Sequence, residues 1–295
     1  MERGRYDDGQ KAREITFSEL CDRYWLEVGA KMRSMKAIRS RLTALKNGLG
    51  PLKMASITSQ HIAVYRKERE KFIGPSSLRK ELGLAGRVID VAVIDWGLTL
   101  YQGNPVKKIR LPKEPSGRTR RIESREKHNI YIALKSSPQM QEVVEWAIET
   151  AMRREEISNM SFNDVNWNNK TIYIPHTKTD TPRTIPLSSR CIEILANRHD
   201  NLPSREVNIV PFEQSEVIRV FSIRPDSISQ AFRRACTRAG IQDLHFHDLR
   251  HEAISRFFEL GLSVPEVALI SGHRDYRQLF RYTHLRAEDV AKKLN

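Results

Sequence analysis

From Thr16 onward, apolar residues recur at helical spacing. Phe17, Leu20, Tyr24 and Val28 share one face, and Thr16 with Glu19 makes a T-x-x-E capping box, which predicts a helix opening there. A second helix is predicted over 34–47, ending at Asn47-Gly48, where glycine supplies the positive φ of a C-terminal cap. A third follows over 58–71 with Ile62 and Tyr65 inward, and a fourth over 76–97, ending at Trp96-Gly97. No strand pattern interrupts them, so residues 14–112 are expected to form an all-helical domain behind a polar, flexible tail at 1–13.

The stretch NPVKKIRLPKEPSGRTRR then breaks the periodicity. Pro105, Pro112, Pro115 and Gly117 argue against helix, and residues 113–122 are expected as an extended basic linker between two globular parts, as a clamp around a duplex would need. Beyond it the pattern becomes mixed. Helices are predicted at 123–136 and 139–152, then short strands at 163–167, 170–175 and 182–187, where Val165, Ile172, Tyr173, Ile174 and Ile185 sit between turn signals. Helices resume at 188–199, 225–239, 247–260, 264–271 and 275–282, with a further S-x-x-E box at Ser263 and Glu266. The expected fold is therefore two domains: an N-terminal all-α domain, and an α+β domain over 123–295 that is mostly helical with a small three-stranded antiparallel sheet. Trp96, Trp146 and Trp167 are expected in the cores, and the tail AEDVAKKLN carries Val290 and Leu294 at helical spacing.

Charge narrows the range of partners. Lys and Arg number 50 against 36 Asp and Glu, a net charge of +14 and a pI near 9.8. Each phosphate neutralised by such a surface releases condensed counterions, so a polyanion suits it, although a lipid surface would too. Cys21, Cys191 and Cys236 are few, distant and in no C-x-x-C spacing, which argues against a disulfide framework or a structural zinc site and for a reducing cytosol. The start MERGRYDDGQKARE has no apolar h-region, and no stretch is apolar enough for a membrane span.

Four segments carry candidate chemistry: ETAMRREEI with Arg153 and Glu156, TIYIPHTKTDTPRTIPL with Lys178, HFHDLRHEAISRFF with His247 and Arg250, and SGHRDYRQLFRYTHL with His273 and Tyr282. Their order and spacing, with the tyrosine nine residues beyond the histidine of the Gly272-His273 pair, resemble the tyrosine recombinase (phage integrase) family. The match runs over about 150–285 by motif, and HFHDLRHEAISRFFELG and ETAMR are especially similar to the shufflon-type DNA invertases within it. Residues 14–112 look like the family's helical core-binding domain. The chain departs from the pattern at Ala151 and Glu155, where glycine is common, and at Asp180-Thr181 in the hairpin turn.

The resemblance implies a metal-free and ATP-free DNA strand transferase. Tyr282 is the expected nucleophile, forming a 3′-phosphotyrosyl bond, and Arg153 and Arg250 hold the phosphate. Lys178 is the expected general acid, His247 a base for the phenol, His273 a hydrogen-bond donor to the phosphate and Glu156 a supporting group. Arg118, Arg120, Arg121, Arg154 and Arg183 are candidate contacts to the DNA backbone. Two guanidiniums suit the task, since each offers a planar pair of donors and keeps its charge. The implied partner is double-stranded DNA at specific sites, bound as a dimer per site and a homotetramer on paired sites, in the bacterial or phage cytoplasm. An arm-binding segment ahead of the helical part is not expected, and on that reading inversion between short repeats is favoured over phage or mobile-element integration. A catalytically inactive DNA-binding module and a type IB topoisomerase are the alternatives. Zinc at His245, His247 and His251 is disfavoured, because Asp248 replaces the glutamate of H-E-x-x-H and Arg250 puts a cation beside the ion.

Overall fold

The computed structural model describes residues 3–32, 34–115, 118, 120–175, 182–201 and 217–283. The chain divides into two compact units, Met1–Gly117 and Arg118–Asn295. Among the described residues the fold is mostly helical with one three-stranded antiparallel sheet, and no helix is long and apolar enough to cross a membrane.

The first unit holds α1 (Arg3–Glu14), α2 (Phe17–Glu27), α3 (Met35–Leu49), α4 (Ser59–Arg69) and α5 (Pro75–Ile94). The capping box at Thr16 and Glu19 forms as its sequence requires and fixes the start of α2. Phe17, Leu20, Tyr24, Leu45, Leu49, Ile62, Leu78, Leu82 and Val88 make the core, each almost wholly buried. Two features differ from expectation. Residues 3–14 are helical rather than a flexible tail, because Ala12 buries in this core and Lys53 binds the Glu14 carbonyl. Gly48 does not end its helix. It lies inside α3 because the Tyr65 ring occupies the place of a side chain, 2.4 Å from where a Cβ would stand. That ring is held in turn by its hydroxyl, which donates to buried Glu81 at 2.6 Å, while Arg69 grips the same carboxylate at 2.8 and 3.0 Å.

The second unit contains α6 (Ser124–Ala133), α7 (Pro138–Thr150), α8 (Arg154–Asn159), β1 (Val165–Asn166), β2 (Thr171–Ile174), β3 (Arg183–Pro186), α9 (Ser189–Asp200), α10 (Pro225–Arg238), α11 (Asp248–Glu259) and α12 (Val264–Ser271). Two single 3-10 turns, Tyr276–Gln278 and Phe280–Tyr282, stand where one continuous helix was expected. The strands pair in sequence order, with Ile172 opposite Ile185 and Ile174 opposite Arg183. Strand alternation therefore turns Ile172, Ile174, Arg183 and Ile185 to the same inner face. Trp146 is fully buried beneath it, whereas Trp167, expected in the core, is 41% exposed. A smaller apolar cluster of Ala151, Ala253, Ile254, Val267, Ala268, Leu279 and Tyr282 lies around the candidate nucleophile.

Candidate active site

Two helix ends create the site. α7 stops at Ala151, which adopts the left-handed conformation (φ 52°), and α12 stops at Gly272 (φ 72°). Each leaves carbonyls with no partner inside its own helix, at the negative end of the helix dipole. The Arg250 guanidinium fills that position, donating to the Ala151 carbonyl at 2.5 Å and to the Ser271 carbonyl at 2.6 Å. Arg250 is only 4% exposed. Among the described residues no carboxylate is in ion-pair contact with it. Burial, and then the neighbouring Arg153 cation, push its pKa down to about 9, so it remains charged at neutral pH. A buried cation tied only to carbonyl dipoles and crowded by a second cation is an anion site.

Arg153 enters from the break that Ala151 makes between α7 and α8. As the N-cap of α8, it is oriented by Glu156, which accepts from the Arg153 backbone N–H and from its Nη1, both at 2.9 Å. Glu156 is 4% exposed and also receives Arg183 Nη1 at 3.0 Å and Nη2 at 2.8 Å. Burial works against its charge, but the Arg183 hydrogen bond and charge, and then Arg153, hold its carboxyl below the usual range. Two guanidiniums thus share a single carboxylate, and with Arg250 nearby a surplus of positive charge is left where a phosphate would sit.

Arg183, expected as a DNA contact, is instead nearly buried. Its Nε donates to the Ile270 carbonyl at 3.0 Å and its fork faces Glu156. The reason is strand alternation, since Ile185 points inward and Arg183 two residues earlier must do the same. Gly272 packs on this guanidinium, and a Cβ there would meet its Cζ and Nε at 3.1 Å.

The other candidate DNA-contact arginines are likewise paired. Arg118 binds Asp248 at 2.9 and 3.0 Å and Asp243 at 2.9 Å, and Arg121 grips Glu252 at 2.9 and 3.0 Å as well as Glu259. Arg120 is paired with Glu126, and Arg154 bonds Ser229 at 2.8 Å. Asp248, Glu252 and Glu259 lie on one face of α11, so the segment entering this unit is laced along the helix that carries Arg250. Lys178 and the tail after Thr283 fall outside the described residues.

His273 follows the cap at Gly272. Its Nδ1 lies 2.7 Å from the Ser271 hydroxyl, which itself reaches the Val267 carbonyl at 2.6 Å. Since that carbonyl only accepts, the hydroxyl donates to it and takes the Nδ1 proton of His273, leaving Nε2 as the free face of the ring. Burial, then Arg250 and Arg153, push this imidazole down to about 3.

Tyr282 is 7% exposed, in the apolar cluster under α11 and α12. Burial raises its pKa, against the opposing pull of Arg281 and Arg250. The group on its hydroxyl is His251 Nδ1, with the two rings 5.8 Å apart and inclined by 26°. His247, which sequence reasoning put beside the phenol, packs edge-on against His251 at 5.3 Å instead. His251 is thus a site residue that the motif reading passed over. Its signal was the i, i+4 spacing to His247, read there only as a zinc face. Among the described residues no group of histidines, cysteines and carboxylates could hold a metal ion. Arg153, Arg250, His251, His273 and Tyr282 converge, each within electrostatic reach of others in the set.

Comparison with known proteins bears on the family and the fold. Residues 120–289 match the model of the phage integrase family. The chain is 35% identical to the shufflon-specific DNA recombinase of Escherichia coli over 97% of its own length and 73% of that protein's. Among solved structures, it resembles a lambda integrase (75–356) dimer bound to a COC′ core site, with TM-score 0.74, 22% identity, and coverage of 90% of this chain and 97% of that one. It also resembles a lambda integrase tetramer bound to a Holliday junction, with TM-score 0.73 and 21% identity over 89% and 79% of the two chains.

Proposed function

The chain belongs to the phage integrase family, and from that premise we propose that it is a site-specific DNA recombinase in which Tyr282 attacks a backbone phosphate held by Arg153 and Arg250. The observation that carries this reading is the buried Arg250 guanidinium, bound to two helix ends and left in a cationic field beside a tyrosine.

A phosphodiester repels nucleophiles, so charge building on its non-bridging oxygens must be neutralised. Arg153 and Arg250 do this with preorganised donors, and loss of one costs on the order of 10²–10³ in rate, by analogy with oxyanion sites. A free phenol, with a pKa near 10, is ionised about one part in a thousand at pH 7, a deficit of roughly 4 kcal/mol. Burial adds to that deficit here, and the surrounding cations offset part of it. The product is a 3′-phosphotyrosyl bond that keeps the energy of the phosphodiester, so a 5′-hydroxyl reseals it without ATP. Lys178 protonates the departing 5′ oxygen in this reading. His273 presents Nε2 to the phosphate and takes up a proton as the anion arrives, His247 packs against His251, and Glu156 positions Arg153.

The helical region 14–112 and the catalytic region 123–295, joined through 113–122, grip a duplex together. Two protomers occupy each site, and four act on paired sites, a reading supported by the lambda integrase dimer bound to a core site and the tetramer bound to a Holliday junction. Inversion between repeats is the favoured reaction, because the similarity to the E. coli shufflon-specific recombinase spans nearly the whole chain. Integration of a phage or mobile element is the second reading. The test is a plasmid carrying two copies of the repeats that flank the native locus, incubated with the protein in EDTA. Exchange between inverted copies supports the proposal. Relaxation without exchange would indicate a topoisomerase, and binding without strand cleavage an inactive module.

A further inference from the structure

A phenol and an imidazole in hydrogen-bond contact have one proton between them to place. His251 Nδ1 meets the Tyr282 hydroxyl, and His247 packs edge-on against the same imidazole. In the tautomer that carries its proton on Nε2, the bare Nδ1 accepts from the Tyr282 hydroxyl, and this is the arrangement a base for that phenol needs. The groups facing this ring keep it neutral. Burial is the largest influence, followed by His247, Arg281 and Arg250, against the opposing pull of Asp248, and together they hold it at about 4. Burial likewise keeps the proton on Tyr282. At neutral pH the pair is therefore a protonated nucleophile hydrogen-bonded to an unprotonated base, as general-base catalysis requires.

We infer that His251, rather than the histidine of the H-x-x-R box, is the base of the cleavage step, taking the phenol proton through Nδ1 as Tyr282 Oη bonds to phosphorus. This rests on Tyr282 being the nucleophile. In the step, the Oη–P bond forms and the bond from phosphorus to the 5′ oxygen breaks. The phenol proton moves to Nδ1, and the departing oxygen is protonated by a separate donor, for which Lys178 is the candidate. In resealing, the 5′-hydroxyl gives its proton back to that deprotonated donor as its oxygen bonds to phosphorus, the Oη–P bond breaks, and the imidazolium returns its proton to the departing phenolate. Substrate binding tunes the base, because a phosphodiester on Arg250 cancels part of that cation's field at the imidazole, so its basicity rises when there is something to cleave.

The experiment measures single-turnover adduct formation on suicide DNA carrying a nicked native site. His251→Ala removes the base. His251→Asn keeps an amide near Nδ1 that can accept a hydrogen bond but cannot take up a proton, and so separates basicity from positioning. Both are expected to slow cleavage by about 10²-fold or more, with DNA affinity unchanged. Replacing Tyr282 in the Ala variant with a fluorinated tyrosine, whose phenol is more acidic, is expected to recover at least about tenfold of that loss. Wild-type cleavage by His251→Asn, or no recovery with the fluorinated ring, overturns the assignment. Failure of the underlying reading looks different: Tyr282→Phe would then still form the adduct.

Discussion

Removal of Glu156 tests the electrostatic frame of the site. The carboxylate is 4% exposed and accepts four hydrogen bonds, two from Arg153 and two from Arg183. In Glu156→Ala it no longer bridges Arg153 and Arg183, and Arg183, only 9% exposed at its side chain, keeps just the Ile270 carbonyl. Breaking a buried pair by deleting one partner costs about 3–5 kcal/mol, because an uncompensated charge stays behind. For a unit of this size each kcal/mol lowers Tm by about 2–4 °C, so a fall of about 6–20 °C is expected by calorimetry of the full chain. Glu156→Gln keeps one carbonyl oxygen and should lie between. The pH dependence has a definite sign. With its folded pKa depressed, Glu156 contributes stability that is present above the unfolded carboxylate value and is lost as pH falls through the folded value, so Glu156→Gln should flatten the acid limb. A change in Tm of less than about 2 °C for the Ala variant would refute the reasoning.

Other consequences are equally checkable. Arg118 and Arg121 are committed to carboxylates of α11, so Arg121→Met should lower stability while leaving the slope of log Kd against log salt unchanged; a slope smaller by about one would mean that it touches a phosphate. Gly272→Ala should destabilise by more than about 1 kcal/mol in urea unfolding, since the backbone is left-handed and the new methyl presses on Arg183; an unchanged midpoint would contradict the packing. His251 and His273 are held at about 4 and about 3, below the usual imidazole value. The unfolded chain therefore binds their protons first, and stability should decline from about pH 6.5 downward with a slope approaching two protons per pH unit; a flat profile between pH 6.5 and 5 would sink this.

The regular elements were legible wherever local chemistry set them. The boxes at Thr16-Glu19 and Ser263-Glu266 form as read, and the strands fall within the predicted ranges because β-branched residues and turn signals agree there. The break after Thr150 was not legible, because Ala151 is a good helix former and only tertiary contacts hold it at positive φ. Helix α1 was missed because its sequence is polar and its order comes from docking, with Ala12 buried in the core. Arg153, Arg250, His273 and Tyr282, singled out by motif spacing, lie near one another in the structure, yet a motif does not say which neighbour faces which. The partner of the phenol is decided by how α11 is rotated against the turn at Phe280–Tyr282, and that depends on long-range packing. Arg183 could have been recognised as inward-facing from the period-two pattern alone, had Ile185 been used to fix the register.

The central claim is that a phenol at position 282 joins phosphorus without help from a metal. Mapping the DNA-linked peptide by mass spectrometry, after trapping on nicked native-site DNA in EDTA, tests it most directly. The account predicts a single modified residue, Tyr282, and no trapped product from Tyr282→Phe. A DNA link at any other residue, or an undiminished yield from the Phe variant, would contradict it.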